Sequence, residues 1–190
     1  MADNSTANVS VGKGVAGGYF YTAPFGTDLP EDYETALDEA FVNCGFITDA
    51  GITNSTSASS TTYTDLNGDD ILTAQASKTR TIGVQFAEMN EQSLGEVYGH
   101  DNVSVDDGVI TVSHNNNDMG HRSIVMELVL RDGRKWRRII EDAQVTDWDD
   151  VTVAASSLLA LGVTYTLNKG DETQAFIVDY IQEEAEVESE

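Results

Sequence analysis

Residues 17–52 read GGYFYTAPFGTDLPEDYETALDEAFVNCGFITDAGI, and this stretch does most to set the fold. Its first part, Gly18–Ala23, reads as a short strand. Pro30 then precedes an acidic segment, Asp32–Val42, in which apolar residues recur at helical spacing. The acids of this segment crowd its first turns, where the helix dipole favours them. The stretch therefore predicts a strand, a Pro/Gly turn, a short helix and a second turn.

The next segment, Thr53–Thr64, has Ser or Thr at nine of its twelve positions. Its β-branched Thr residues and the following turn sequence Asn67-Gly68 favour an extended hairpin or a long loop over residues 53–79. The segment has too few apolar residues to bury a face of its own. We therefore expect a partner surface to order it.

Short strands joined by hairpin turns make up most of the remaining chain. The predicted elements are a strand at 79–89, a hairpin turning at 106–108, a second hairpin turning at 132–133, and closing strands at 159–167 and 173–181. Asn90–Tyr98 is predicted to be a helix with Asn90 as its N-cap. The predicted fold class is mainly β: one antiparallel β-sandwich or barrel-like domain with one or two short flanking helices.

The chain is strongly acidic, with 33 Asp and Glu against 10 Lys and Arg and a formal net charge of −23. Such a surface repels nucleic acid phosphates and anionic lipids. No apolar run approaches the roughly 18 residues of a membrane span, and the N-terminus lacks the pattern of a signal peptide. We expect no membrane partner and no export. The glutamate-rich segment 182–190 is expected to be a disordered tail.

Three short motifs are weak candidates for ligand sites. Gly12–Gly17 matches GxGxxG, but a strand follows it where a dinucleotide site needs a helix. Asp65–Asp70 resembles a calcium loop, yet it lacks the Gly and Glu that an EF-hand places at positions six and twelve. His114 and His121 flank a polar loop without zinc spacing. We expect loops and turns at these places, and no metal, cofactor or catalytic group.

Five of the ten basic residues fall within eight positions, around Trp136. They are Arg131, Arg134, Lys135, Arg137 and Arg138. In a chain this acidic, such a cluster favours pairing with carboxylates, either its own or those of another copy. Contact with DNA and a solvated hairpin are the alternatives.

Several pieces of the sequence, taken in order, resemble phage tail tube proteins, the subunits of the hollow tail of long-tailed phages. They are GGYFYTAPFGTDLP, the segment ending in AF, NCGFITDAGI, TDLNGDDI, FAEMNEQSLGEVYG, RDGRKWRRIIEDAQV and LGVTYTLNKGDETQAFIVDYI, and together they cover about residues 9–181. The resemblance implies a structural virion protein, not an enzyme. It implies rings, expected to be hexameric, that stack into a tube through which DNA is delivered.

The resemblance also implies an organisation of the chain. Residues 1–8 would be an N-terminal arm, residues 9–181 the β domain, and residues 53–79 a loop or hairpin between subunits. The candidate interface residues are Tyr63, Asp65, Asn67 and Asp69 together with the five basic residues. Charge reversal at Arg137 and Arg138 is then expected to impair assembly rather than folding.

The implied partners are further copies of the chain, a tape measure protein, and a tail terminator or baseplate protein. Viral DNA would pass an acidic lumen without specific binding, and assembly would take place in the host cytoplasm. The main alternative is a β-sandwich module that decorates a virion or binds a receptor or glycan, with Trp136 or Trp148 stacking on sugar.

Overall fold

The computed structural model, which describes residues 9–183, contains one large antiparallel sheet and a separate two-stranded hairpin. The strands are β1 Lys13–Gly14, β2 Phe20–Pro24, β3 Val42–Asn43, β4 Ile47–Thr64, β5 Asp70–Phe86, β6 Val103–Asp106, β7 Val109–Val112, β8 Arg122–Val129, β9 Lys135–Trp148, β10 Leu161–Leu167 and β11 Val178–Ile181. The helix α1 spans Glu91–Tyr98 and is followed by a 3₁₀ turn at His100–Asn102. The mainly antiparallel β fold class is confirmed.

Nine strands share the main sheet, in the order β3-β2-β8-β9-β10-β5-β4, with β1 beside β8 and β11 beside β9. Strands β6 and β7 form a separate hairpin. The two ends of the order, β3 and β4, are joined in the chain by only three residues, 44–46. Because four residue steps span at most about 14 Å, the two ends of the sheet must lie close together. The sheet is therefore rolled into a barrel-like form.

The interior of this rolled sheet holds the main hydrophobic core. Its largest fully buried side chains include Phe20, Phe86 and Tyr165, and the Phe20 ring meets the Phe86 ring edge-on at 5.8 Å between centroids. Helix α1 adds Leu94 and Val97 to this core. The alternation along β10 and the last part of β5 thus places one face inward, as their apolar periodicity predicts.

Helix α1 begins where the sequence predicts. Asn90 Oδ1 accepts a hydrogen bond from the Ser93 amide at 2.8 Å, and Ser93 Oγ accepts one from the Asn90 amide at 3.0 Å. This reciprocal pair satisfies amides that a helix end would otherwise leave without a partner. The predicted hairpins also form, with turns at Asp106–Gly108 and Asp132–Gly133.

The helix predicted over residues 32–42 is absent; the chain makes turns and bends there. Asp32 Oδ1 accepts hydrogen bonds from the Glu34 amide at 2.7 Å and from the Thr35 hydroxyl at 2.8 Å. The Arg137 guanidinium binds the carbonyl oxygens of Asp32 and Thr35 at 2.7 and 2.6 Å. These carbonyls would accept intrahelical bonds in a helix, so local and tertiary partners replace the helical pattern.

Residues 25–41 instead cover the outer face of part of the sheet. Phe41 packs with Ala23, Val125 and Ile139 in a second, smaller core, and Leu37 lies against it. Leu37, Ala40 and Phe41, which contribute to the helical spacing, therefore do pack on the protein interior. Their contacts form without helical backbone.

Glu141 of β9 holds the loop between β10 and β11. Its carboxylate accepts hydrogen bonds from the amides of Asp171, Glu172 and Thr173 at 2.7, 2.9 and 2.8 Å. Burial acts to raise the pKa of Glu141, but these amide hydrogen bonds outweigh it and lower the pKa. This loop connects β10, which pairs with residues 143–148 of β9, to β11, which pairs with residues 136–139 of the same strand.

Two predicted segments fall outside the described residues: the N-terminal segment 1–8 and residues 184–190 of the tail. Within the described part, Gln182 is bonded to Lys135 through both its amide and its side chain. The division of the chain into arm, domain and tail stays a prediction.

Leu161→Ala and Leu66→Ala make a matched test of where the core lies. Leu161 is 1% exposed and Leu66 is fully exposed. We expect Leu161→Ala to lower the free energy of unfolding by about 2–5 kcal/mol and Leu66→Ala by less than about 0.5 kcal/mol, measured by urea denaturation. Equal losses for the two variants would contradict this core.

Candidate assembly surfaces

The β4–β5 hairpin extends past the sheet as an arm. Strand β10 pairs with β5 only as far as the Leu167–Arg80 pair, whereas β4 and β5 continue to pair up to Thr64 and Asp70. We name residues 56–79 the arm. Its nine residues from Thr56 to Thr64 span about 30 Å at strand spacing. Nearly every residue of the arm is exposed.

Hydroxyl groups link the two strands of the arm. Ser59 Oγ lies 2.8 Å from Ser77 Oγ, and Thr62 Oγ1 lies 3.1 Å from Thr73 Oγ1. Within the described residues, the outer edges of both arm strands lack a strand partner. Such open edges are rare in isolated proteins, because they pair with other chains. The predicted hairpin over 53–79 is present, as an extension of longer strands.

Apolar side chains crowd the end of the arm. Tyr63 and Leu72 are paired across the strands, and each is more than half exposed. Ile71 and Leu66 are more exposed still. A group of large apolar side chains at the end of an exposed hairpin is typical of a surface that binds another protein.

The turn of the arm is held by Asp65. Its Oδ1 accepts hydrogen bonds from the amides of Asn67 and Asp69 at 2.8 and 2.9 Å. The hydrogen bond from Asp69 is the largest effect on the pKa of Asp65, which is lowered. The predicted interface residues Tyr63, Asp65, Asn67 and Asp69 thus lie together at the tip. In the segment that resembles a calcium loop, the Asp65 carboxylate therefore accepts hydrogen bonds from backbone amides.

The basic cluster divides into a surface group and one buried side chain. Arg134 Nε lies 2.6 Å from Asp132, and Lys135 Nζ lies 3.8 Å from Glu34. Arg138 Nε and Nη2 donate to Asp179 at 2.7 and 2.9 Å. Arg131 is exposed and forms no ion pair with any residue between 9 and 183. We name residues 131–135 the basic turn. Its cations remain accessible to another chain.

Arg137 differs from its neighbours because it serves the interior of its own subunit. It is 5% exposed, its NH2 nitrogen lies 2.6 Å from Glu127, and it also binds the two carbonyls of the 32–35 turn. This corrects the expectation that charge reversal at Arg137 would spare folding. Reversal would bury a carboxylate beside Glu127.

The arm and the basic turn lie at the same end of the sheet. Strand β10 is antiparallel to β5, so its C-terminal residue Leu167 lies at the end of the sheet where the arm begins. Strand β10 is also antiparallel to β9, so the first residues of β9 lie toward the same end. The first of these residues, Lys135, belongs to the basic turn. One end of the subunit therefore carries both candidate surfaces.

A buried carboxylate, which the sequence does not single out, joins α1 to the sheet. Glu96 has no exposed side-chain surface. Its Oε1 accepts hydrogen bonds from Thr22 Oγ1 at 2.6 Å and Arg122 Nε at 3.0 Å, and lies 2.9 Å from His100 Nε2. Its Oε2 accepts one from the Tyr165 hydroxyl at 2.7 Å. The only sequence signal is the i,i+4 spacing of Glu96 and His100.

The charge of Glu96 sets the pKa values around it. Burial acts to raise the pKa of Glu96, but the His100 hydrogen bond and the Arg122 charge outweigh it and lower the pKa. Burial first, and then the Glu96 charge, raise the pKa of Tyr165 and of Cys44. Cys44 is therefore a buried, protonated thiol.

The two histidines that flank the polar loop have protein partners. His121 Nδ1 lies 2.6 Å from Asp142, and the His114 ring meets Tyr98 edge-on at 4.6 Å. Across residues 9–183, no three His, Cys, Asp or Glu side chains are grouped to hold a metal ion. No helix in this part of the chain has both the length and the apolar character to cross a bilayer.

The described residues thus form an antiparallel β domain with an exposed arm, whose outer strand edges have no strand partner within residues 9–183. A family model described as "Phage tail tube protein" matches residues 1–189. The chain belongs to the phage tail tube protein family. It is a structural component of the virion tail, as the resemblance in its sequence implies.

Two solved structures illustrate what this chain is similar to. One is a chain of the sheath–tube complex of an extracellular contractile injection system, PVC, in its extended state, with 12% identity, a TM-score of 0.45, and coverage of 95% of this chain and 100% of that one. Another is the tube-terminating cap of the anti-feeding prophage, with 13% identity, a TM-score of 0.42, and coverage of 93% and 98%. No curated protein matches the chain. The family assignment rests on the family model.

Arg137→Ala and Arg138→Ala separate the buried arginine from the surface pair. We expect Arg137→Ala to destabilise the subunit by about 3–5 kcal/mol, because it leaves Glu127 and two carbonyls without their partner. We expect Arg138→Ala to cost about 1 kcal/mol or less. Urea denaturation of both variants measures the difference, and equal stabilities would refute the assignment of Arg137 to the interior.

Glu96 makes stability depend on acidity. Its pKa is lower in the folded protein than in the unfolded chain, so its contribution is fully present above about pH 4.3 and is lost as the pH falls through the folded value. Glu96→Gln is expected to lower stability at pH 7 by about 3 kcal/mol and to reduce the further loss on acidification. Urea denaturation at several pH values measures this, with the exposed Glu39→Gln as control. An unchanged pH dependence in Glu96→Gln would contradict the role of Glu96.

Proposed function

We propose that copies of this chain close into rings, expected to be hexameric, and that the rings stack into a hollow tube through which viral DNA reaches the host. The family assignment supports a tube subunit. The observation that carries the proposal further is the arm, which has two open strand edges and an apolar tip. A monomer gains nothing from exposing these groups, whereas a polymer buries them.

The arm is proposed to contact a subunit of the next ring. Its length of about 30 Å carries the tip well beyond the sheet, and its backbone amides and carbonyls are available to a neighbouring strand. Tyr63, Leu66 and Leu72 would supply apolar contact once the edge is paired. Asp65, Asn67 and Asp69 would shape the tip that enters the neighbour.

The basic turn is proposed to offset repulsion between acidic copies. Each subunit has a net charge of −23, so packing copies side by side is electrostatically unfavourable. Arg131, Arg134 and Lys135 are the cations of the basic turn, and the half-buried Arg138 lies beside it, at the end of the sheet that also bears the arm. Arg137 contributes indirectly, because it holds the 32–35 turn against the sheet.

The acidic surface is proposed to serve the passage of DNA. Carboxylates on the tube wall would repel phosphates, and this repulsion acts over about 8 Å at physiological salt. DNA would then slide without specific contacts. A tape measure protein inside the tube and terminator or baseplate proteins at its ends are the further proposed partners, with assembly in the host cytoplasm.

The alternative of a sugar-binding or decoration module is less well supported. The Trp136 ring is covered by Arg138, whose guanidinium carbon lies 5.0 Å from the ring centroid, and its Nε1 donates to Asp179. Trp148 Nε1 donates to the Val97 carbonyl at 2.7 Å. Trp136 therefore has one ring face occupied, and both indole nitrogens are bonded within the subunit. The family assignment also favours the tube.

Removing the apolar tip tests the proposal. In the triple variant Tyr63→Ser, Leu66→Ser and Leu72→Ser, we expect an unchanged melting temperature and a loss of tubes in negative-stain electron microscopy, because the tip contacts only other subunits. The matched control replaces Val105, Val109 and Ile110, which are also exposed, by Ser. Tubes formed equally well by both variants would exclude the tip as the contact.

A further inference from the structure

Both ends of the described chain leave the domain at the basic turn. Ser10 Oγ accepts a hydrogen bond from the Arg131 amide at 3.0 Å. The Gln182 amide donates to the Lys135 carbonyl at 2.9 Å, and Gln182 Oε1 accepts from the Lys135 amide at 3.2 Å. The turn is thus bordered on one side by the start of the domain and on the other by the segment that enters the acidic tail.

The strand register places the start of the acidic tail beside the basic turn. Strand β11 runs antiparallel to β9 with Ile181 opposite Trp136, and Gln182 continues the pairing at Lys135. The next residue in register, Glu183, falls opposite Arg134. The seven residues beyond it reach up to about 24 Å when extended, which is ample to pass the four residues from Arg134 to Arg131.

Charge complementarity identifies the occupant of the basic turn. Residues 183–190 carry five glutamates, while residues 131–135 hold three cations and one aspartate. Lys13, on a strand paired with β8 beside the turn, adds a fourth cation. Arg131 has no ion-pair partner among residues 9–183, and Lys135 is 56% exposed with its nearest carboxylate 3.8 Å away. These cations can therefore form ion pairs with additional carboxylates.

We propose that the acidic segment 183–190 docks on the basic turn of its own chain and competes there with carboxylates of a second copy. This rests on the proposed role of the basic turn in tube assembly. Intramolecular docking has a high effective concentration, because the tail is tethered next to its site. The tail therefore masks the turn in the free subunit and slows the addition of subunits, until contacts made elsewhere, such as those of the arm, displace it.

Neutralising the tail tests the docking directly. The variant replaces Glu184, Glu186, Glu188 and Glu190 by Gln, and the control makes the same charge change at four exposed sites: Glu31→Gln, Glu39→Gln, Asp101→Asn and Asp106→Asn. We expect the amide resonances of residues 131–135 in the soluble subunit to shift in the tail variant and not in the control. Raising salt from about 0.05 to 0.5 M should move the wild-type resonances toward those of the tail variant. Unchanged resonances at 131–135 would overturn the docking.

Assembly kinetics test the competition. At about 0.05 M salt, light scattering should show the tail variant assembling about five- to tenfold faster than the control variant, as expected when a few surface ion pairs are lost. Equal or slower assembly would overturn the masking role. If no variant forms tubes, the proposed function fails, while the resonances of residues 131–135 still decide whether the tail is docked.

Discussion

The buried carboxylate of Glu96 is the interaction on which the arrangement of the core depends. It accepts hydrogen bonds from Thr22 on β2, Arg122 on β8 and Tyr165 on β10, and so ties α1 to three strands of the rolled sheet. A buried charge is stable only when its oxygens are fully paired. The helix can therefore sit in one position only, and the strands that meet Glu96 must keep their register. That register in turn determines where β5 leaves β10 and where the arm begins.

Local chemistry made much of this fold predictable. The Asp-Gly turns at 107–108 and 132–133, the N-cap of α1 and the alternation within β8 and β10 each depend on neighbouring residues, and all are present. The segment 32–42 could not be predicted in the same way. Its helical spacing is real, but the partner that prevents a helix is Arg137, about a hundred residues away in the chain. Glu96 escaped prediction for a similar reason, because a glutamate on a short helix gives no sign that five polar side chains lie within hydrogen-bond distance of it.

The basic cluster shows why a run of like residues is not one site. Side chains alternate across a strand, so Arg137 and Arg138 point to opposite faces of β9. One face is covered by residues 25–41 and buries Arg137 against Glu127, while Arg138 meets Asp179 across the adjoining strand. Five cations fall within eight positions of the sequence, but only Arg137 is buried in the folded subunit. The other four lie at or near the surface. The predicted interface residues of the arm tip, in contrast, stay together because they share one turn.

The hydroxyl pairs along the arm have a consequence for how a polymer built from it would grow. Ser and Thr hold the two strands together without the strong apolar burial that would make every encounter permanent. If the arm contacts a neighbouring subunit as proposed, its edges rich in Ser and Thr would make each contact individually weak and reversible, so that a misplaced subunit could leave before the next one is added. The finished particle would then gain its durability from the repetition of such contacts along its length. The abundance of Ser and Thr in the arm would thus favour both the correction of errors during assembly and the stability of the complete polymer.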